Sequence, residues 1–126
     1  MSFVIDINQD QFVEEVVEKS KSTPVIVDFW APWCGPCKQL TPLLENAVIN
    51  YNEKVTLAKI NIDENQEIAA QLRIQSIPTV YTFYQGKVVD GFQGAKSNSE
   101  ILDYVKKSAS LSGPGEEVEN LITMGK

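Results

Sequence analysis

The sequence predicts an α/β fold in which a central mixed sheet carries helices on both faces. The run Val25–Trp30 is mostly apolar at successive positions, which is typical of a central strand buried on both sides. Strand-like and helix-like segments alternate along most of the chain. Near its end, strand-like runs at 79–84 and 88–92 flank the sequence QGK, which favours an antiparallel hairpin. The predicted order is β-α-β-α-β-α-β-β-α.

The first third of the chain predicts a strand, a helix, the central strand and a second helix. Residues 3–7 form the first strand, and Asn8 and Gln11 have the spacing of a capping box. Helical periodicity then continues to about Ser20, with the apolar residues Phe12, Val13, Val16 and Val17. After the central strand, a long amphipathic helix begins near Cys34.

The remaining elements follow from similar local signals. Residues 56–62 read as another buried strand, and a short helix covers about 67–72. After the hairpin, Ser97 and Glu100 form a second capping box. The helix that they start carries the apolar residues Ile101, Leu102, Val105 and Ala109. The predicted α/β domain therefore spans residues 1–109.

Residues 110–126 differ from the domain that precedes them. The sequence SGPG at 112–115 is a turn or linker signal, and an acidic segment at 116–123 predicts a new helix. Such a short helix is marginal alone. We therefore expect a linker and a helical extension that either packs back on the domain or begins a longer helical-repeat region. A disordered extension is the alternative.

Charge and composition exclude several kinds of partner. The net charge is −6 and the longest basic run is Lys106-Lys107, which argues against a nucleic-acid or anionic-membrane surface. No stretch approaches the roughly 18 apolar residues that a membrane span needs. The first residues do not resemble a signal peptide. Two cysteines without an export signal predict a cytoplasmic protein in a reducing compartment.

Both cysteines lie in the motif WCGPCK at residues 33–38, and the chain contains no histidine. A structural zinc site needs about four nitrogen or sulfur ligands, so we expect no metal site unless subunits share one. A structural disulfide would close a loop too short to remove much entropy from the unfolded chain. The remaining interpretation, thiol–disulfide exchange, is the one we favour.

The position of the two thiols supports this interpretation. Cys34 stands at the first turn of a helix, where free N–H groups and the helix dipole favour a thiolate. Pro36 suits that turn because no N–H donor is needed there. Cys37 lies three residues on, close enough to resolve a mixed disulfide formed at Cys34. Trp33 offers a flat amphipathic surface beside the attacking sulfur, although a core aromatic is the alternative.

A carboxylate in the central strand is the best available base. Asp28 shares a strand face with Ile26 and Trp30, so it is either buried or, as the alternative, solvated near the end of the strand. Burial raises the pKa of a carboxyl group and enables it to take a proton near neutral pH.

The motif and its surroundings resemble the thioredoxin family over about residues 3–108. Besides WCGPCK, the resemblance covers VDFWA at 27–31, KINID at 59–63, SIPT at 76–79 and the pair Gly94-Ala95. It implies a thioredoxin-type protein-disulfide reductase without a bound cofactor. Its redox group is a Cys34–Cys37 disulfide that an external thioredoxin reductase reduces. The resemblance also implies that Asp28 assists deprotonation of Cys37 and that Lys59 tunes Asp28.

The resemblance further implies a shallow groove for extended or unfolded protein substrates. On sequence alone Pro78 is a strand-starting proline with a trans bond. The family pattern implies instead a cis Ile77–Pro78 bond packed against the disulfide, with the Ile77 backbone free to pair with a substrate strand. The residues expected to bind substrate are Trp33, Gly35, Pro36, Ile77, Pro78, Gly94 and Ala95.

An alternative function comes from a narrower resemblance. The segments PTVY at 78–81 and VDGFQG at 89–94 resemble the thioredoxin-like domain of bacterial chaperedoxins, which join it to tetratricopeptide-like repeats. That resemblance implies a co-chaperone that holds unfolded clients and delivers them to a chaperonin. The extension from Ser110 onward is the other feature that favours it.

Overall fold

The computed structural model describes residues 3–51 and 53–112. Strands and helices alternate in the predicted order, and the strand boundaries agree with the prediction to within a residue. The strands are β1 (Val4–Asp6), β2 (Val25–Trp30), β3 (Thr56–Asn61), β4 (Thr79–Tyr84) and β5 (Lys87–Gln93). The helices are α1 (Gly35–Ile49), α2 (Gln66–Gln71) and α3 (Asn98–Ala109).

The five strands form one mixed sheet in the order β1-β3-β2-β4-β5. β3 runs parallel to both β1 and β2, whereas β4 runs antiparallel to β2 and to β5. β2 is thus the central strand, and all of its residues except Trp30 are buried, as its sequence predicts. This arrangement confirms the predicted fold class.

Two hydrophobic cores lie on opposite faces of the sheet. One packs α1 and α3 against the sheet through residues such as Ile26, Leu44 and Val105. The other packs the N-terminal helical segment and α2 against the opposite face through residues such as Val16 and Phe29. Because β2 contributes side chains to both cores, its near-continuous apolar sequence has a direct cause.

The antiparallel hairpin is confirmed between β4 and β5. Its two connecting residues, Gln85 and Gly86, both have positive φ values, 55° and 84°. Two successive residues in this region make the turn whose twist matches that of the flanking strands. Glycine is the residue that takes such a backbone conformation without steric cost.

The first helical segment departs from the predicted α-helix. Asn8 caps it with the predicted capping box, but a 3-10 turn (Gln9–Gln11), a π-helical turn (Val13–Glu18) and a second 3-10 turn (Lys19–Lys21) follow. Val13, which the periodicity assigned to the apolar stripe, is exposed.

Tertiary bonds at both ends explain this irregular pitch. The Gln9 N–H donates to the Asn65 side chain at 2.7 Å, and the Ser20 carbonyl accepts from the Gln85 N–H at 2.7 Å. The segment therefore spans a distance set by its neighbours rather than by an ideal α-helical rise.

The start of α3 is confirmed as predicted: the Glu100 N–H donates to Ser97 Oγ at 3.2 Å, and the Ser97 N–H donates to Glu100 Oε1 at 2.9 Å. α3 ends at Ala109, and Ser110–Ser112 form a 3-10 turn whose Ser112 hydroxyl donates to the Lys54 carbonyl at 2.6 Å. The predicted acidic helix at 116–123 lies outside the described residues, which end at 112.

We expect Gly91→Ala to destabilise the fold by roughly 1–3 kcal/mol, the usual cost of overpacking. A Cβ atom at Gly91 would lie 2.7 Å from Tyr81 Cδ1 and 3.0 Å from the Val80 carbonyl oxygen, so the Tyr81 ring or the β4–β5 backbone must shift. Urea unfolding measures the loss. Gly35→Ala is the matched control, since its added Cβ has no described atom within 4 Å apart from its chain neighbours and the backbone of its own helix. Equal stability of the two variants would contradict the predicted clash.

Candidate active site

The two cysteines form a disulfide at the N-terminus of α1, with a Cα–Cα distance of 5.3 Å. Cys34 is the N-cap residue, and its Sγ accepts a hydrogen bond from the Cys37 N–H at 3.2 Å. Both are nearly covered, Cys34 being 4% and Cys37 2% exposed. The N–H group and the positive end of the helix dipole both favour a thiolate at Cys34 once the disulfide is reduced.

Trp33 stands beside the disulfide and is 67% exposed, so the alternative of a core aromatic is wrong. Its Nε1 donates to both carboxylate oxygens of Asp63, at 3.0 and 3.2 Å. Trp33 follows β2 and Asp63 follows β3, and parallel neighbours end at the same edge of a sheet. That shared edge is the signal from which Asp63 could have been predicted.

The Ile77–Pro78 bond is cis, as the family resemblance implies. Thr79 of β4 pairs with Phe29 of β2, so Pro78 lies at the end of the sheet where β2 ends and the chain continues to Cys34. Pro78 is buried, and its carbonyl accepts from the Gly94 N–H at 2.9 Å. Gly94 has a φ of 84°, which favours glycine.

The other expected groove residues lie at the same end of the sheet, in the first turn of α1 and in the loops next to β4 and β5. Gly35 and Pro36, in the first turn of α1, are exposed, as is Ala95, and Ile77 is half-buried. The fold therefore gathers the expected substrate-binding residues from three loops that meet at one end of the sheet.

Asp28 is fully buried in β2, so the alternative of a solvated carboxylate is wrong. Thr41 Oγ1 donates to Asp28 Oδ2 at 2.6 Å, whereas Oδ1 has no hydrogen-bond partner in the part of the chain that the structure describes. Burial raises the pKa of Asp28 from 3.8 to about 6. The hydrogen bond from Thr41 and the charge of Lys59 oppose this rise, and the charge of Glu45 adds to it.

Lys59 lies directly opposite Asp28 in the β2–β3 register. Its ammonium group is 2.6 Å from Glu45 Oε2 and 3.7 Å from Asp6 Oδ1. Burial lowers the pKa of Lys59, but the hydrogen bond to Glu45 and the charges of Asp6, Glu45 and Asp28 outweigh that effect and raise it. The close partner of Lys59 is thus Glu45, while its effect on Asp28 is a longer-range attraction.

Thr41 and Glu45 were missed in the sequence, although their spacing contains a signal. They follow Cys37 at intervals of four residues, which places all three on one face of α1. That face covers β2 and β3 next to Asp28 and Lys59.

A cleft of about 290 Å³ lies beside Cys37, the inner of the two cysteines. Because one water occupies about 30 Å³ of liquid, the cleft has room for several waters between Cys37, Thr41 and Lys59. It is lined by Trp30, Ala31, Pro32, Cys37, Lys38, Thr41, Pro42 and Lys59. The inner thiol and the hydrogen-bond donor of Asp28 therefore face a common space.

The described ranges contain no group of three or more His, Cys, Asp or Glu side chains that could hold a metal ion. Within residues 3–51 and 53–112, no helix has the length and apolar character of a membrane span. The redox group that the structure does contain is the Cys34–Cys37 disulfide.

Comparison with known proteins agrees with this geometry. The family model described as thioredoxin matches residues 3–107. The chain belongs to the thioredoxin family. Thioredoxin 1 of Synechococcus elongatus is 39% identical over 107 residues, which cover 85% of this chain and 98% of that protein. Thioredoxin of Rickettsia felis is 41% identical over 82% of this chain and 96% of its own length.

A solved structure shows the same fold. The thioredoxin Mala s 13 of Malassezia sympodialis superposes with a TM-score of 0.74 at 32% identity, covering 84% of this chain and 90% of that one. Together with the disulfide at the start of α1, these relatives identify the chain as a protein thiol–disulfide oxidoreductase of the protein-disulfide reductase type.

The relatives do not favour the chaperedoxin-like alternative. The thioredoxins named above match over nearly their whole length, and a chaperonin partner gains no support from them.

Proposed function

We propose that this protein reduces disulfides of other proteins, with Cys34 as the attacking thiolate and Cys37 as the resolving thiol. The observation that carries the assignment is the hydrogen bond from the Cys37 N–H to Cys34 Sγ at the N-terminus of α1. A donor aimed at one sulfur favours its charged form, and the thiolate is the nucleophile in disulfide exchange.

The reaction has two exchange steps. The Cys34 thiolate attacks a substrate disulfide, a Cys34–substrate bond forms, and one substrate sulfur leaves as a thiolate. Cys37 then loses its proton and attacks the Cys34 sulfur, which forms the Cys34–Cys37 disulfide and releases the second substrate sulfur. Two electrons pass from the protein dithiol to the substrate.

Asp28 is the proposed proton acceptor for Cys37. A pKa of about 6 makes its carboxylate a competent base near neutral pH, and the cleft beside Cys37 and Thr41 offers a route for the proton. Lys59, opposite Asp28 in the register, tunes this base because its positive charge favours the ionised carboxylate.

The substrate surface is the shallow groove at the same end of the sheet. Trp33 supplies exposed apolar area, and the Ile77 backbone next to the cis bond pairs with an extended substrate segment as an added strand. The proposed contact residues are Trp33, Gly35, Pro36, Ile77, Pro78, Gly94 and Ala95.

This groove suits disulfide-containing or unfolded proteins, which present extended segments. A thioredoxin reductase regenerates the dithiol after each cycle. We place the cycle in the cytoplasm, because net reduction of substrates needs a compartment that keeps thiols reduced.

Cys37→Ser should trap substrates as stable mixed disulfides at Cys34, because the resolving thiol is gone. The reduced variant is mixed with oxidised insulin, and adducts are quantified on non-reducing gels and located by peptide mapping. The Cys34→Ser/Cys37→Ser double variant is the matched control and should form none. Adducts from Cys34→Ser, with none from Cys37→Ser, would reverse the two roles.

A further inference from the structure

The surroundings of Asp28 contain two residues that the proposed cycle does not use. Thr41 Oγ1 donates to Asp28 Oδ2 at 2.6 Å, and Asp28 is fully buried. Oδ1 has no partner among the described residues. Among the described residues, the Thr41 hydroxyl is thus the one direct hydrogen-bond donor to the Asp28 carboxylate. Because the site is buried, solvent does not weaken this hydrogen bond.

The second residue is Glu45, which controls where the nearest positive charge lies. Lys59 stands opposite Asp28 on the neighbouring strand, yet its ammonium is bonded to Glu45 Oε2 at 2.6 Å. The Lys59 side chain is 18% exposed, so this ion pair is partly shielded from solvent. Because the Lys59 ammonium is paired with Glu45, it stabilises the ionised form of Asp28 less than an unpaired ammonium would.

We propose that Thr41 and Glu45 are positioning residues that set how readily the Asp28 carboxylate takes up a proton. Thr41 favours the ionised form by donating a hydrogen bond to it. Glu45 favours the protonated form, both by its own negative charge and by holding the Lys59 ammonium. This assignment rests on the proposed function, in which Asp28 accepts the proton of Cys37.

The charged groups around Asp28 come from three elements. Lys59 lies on β3, Glu45 on α1, and Asp6 on β1 acts through its 3.7 Å contact with Lys59. On the other side of β2, Val80 of β4 occupies the position opposite Asp28 and is apolar. On α1 the remaining titratable groups beside Asp28 are the reduced Cys37 thiol and Lys38, which lines the same cleft as Cys37 and Thr41.

Thr41 and Glu45 act on the protonation of Asp28 in opposite directions, so the proposal predicts the sign of each effect. Removing the Thr41 hydroxyl leaves the buried carboxylate without its hydrogen bond, so protonation becomes easier. Removing the Glu45 charge frees Lys59 to act on Asp28, so protonation becomes harder. A merely structural contribution of either residue would not produce paired shifts of opposite sign.

The test is an NMR titration of the Asp28 carboxyl carbon in the full oxidised chain. Thr41→Val keeps the side-chain shape and should raise the Asp28 pKa by roughly one unit, the usual value of a hydrogen bond to a charged group. Thr41→Ser retains the hydroxyl and should restore the wild-type value. Glu45→Gln should lower the pKa, whereas the exposed Glu14→Gln, which changes net charge equally, should leave it unchanged.

The same variants should shift the pH profile of the second exchange step in the same directions, measured as release of substrate from a preformed Cys34 mixed disulfide. An unchanged Asp28 pKa in both Thr41→Val and Glu45→Gln overturns the proposal, as does a Glu45→Gln shift no larger than that of Glu14→Gln. Asp28→Asn separates the two hypotheses. If it leaves the release profile intact, the proposed role of Asp28 is wrong, while the NMR titration still decides the role of Thr41 and Glu45.

Discussion

Cys34→Ser should lower kcat/KM for protein-disulfide reduction by at least about 1,000-fold, which corresponds to about 4 kcal/mol of transition-state stabilisation. A serine hydroxyl is not ionised near neutral pH and cannot form the mixed disulfide, so the N-terminal donors of α1 have no thiolate to stabilise. The measurement is the second-order rate constant for reaction of the prereduced protein with disulfide-bonded insulin, taken from the time course of substrate thiol release in a single turnover.

The matched variant is Cys37→Ser, which removes the same number of sulfur atoms from the same helical turn. It should retain the first exchange step and stall at the mixed disulfide. Cys34→Ser should instead show neither attack nor adduct. Substantial reduction by Cys34→Ser, together with a failure of Cys37→Ser to attack, would mean that the inner thiol is the nucleophile.

Most of the fold could be predicted because its signals are local. The near-continuous apolar run of β2, the QGK turn and the capping box of Ser97 and Glu100 each depend on a few adjacent residues. The N-terminal π-helical turn, Val13–Glu18, could not be predicted this way. Its pitch depends on bonds to Asn65 and to the hairpin, which are far away in the sequence.

The candidate site shows the same division. The placement of Cys34 at a helix start follows from its sequence neighbours, but the choice of partner by Lys59 does not. Once β2 and β3 pair in register, Asp6, Asp28 and Glu45 surround the ammonium, and only the side-chain geometry selects Glu45. The cis bond before Pro78 was likewise predicted from family resemblance, because X–Pro bonds are mostly trans on physical grounds.

Asp28→Asn should stabilise the oxidised protein by about 2 kcal/mol at pH 8 and have little effect at pH 4. The pKa of Asp28 is about 6 in the folded chain and 3.8 without burial, so the folded state holds this proton more tightly than the unfolded state. The free energy of unfolding therefore falls as pH rises between these values, and ionised Asp28 costs about 3 kcal/mol above them. Asparagine carries no charge and removes that cost. Its unpaired amide hydrogens, however, destabilise the folded state by about 1 kcal/mol.

Urea unfolding of the oxidised variants at a series of pH values measures this difference. Asp103→Asn is the matched control, because it makes the same change of net charge at an exposed position. A wild-type free energy of unfolding that does not fall between pH 4 and pH 7, relative to Asp28→Asn, would contradict a raised pKa at Asp28.

The same substitution should slow the release of substrate from the Cys34 mixed disulfide, because asparagine cannot accept the Cys37 proton. Higher stability with slower release would show that the buried carboxylate destabilises the fold and serves the reaction. Higher stability with unchanged release would show that Asp28 destabilises the fold but does not accept the Cys37 proton. Another group would then be the proton acceptor. The two measurements therefore separate the effect of Asp28 on the free energy of unfolding from its effect on the rate of the second exchange step.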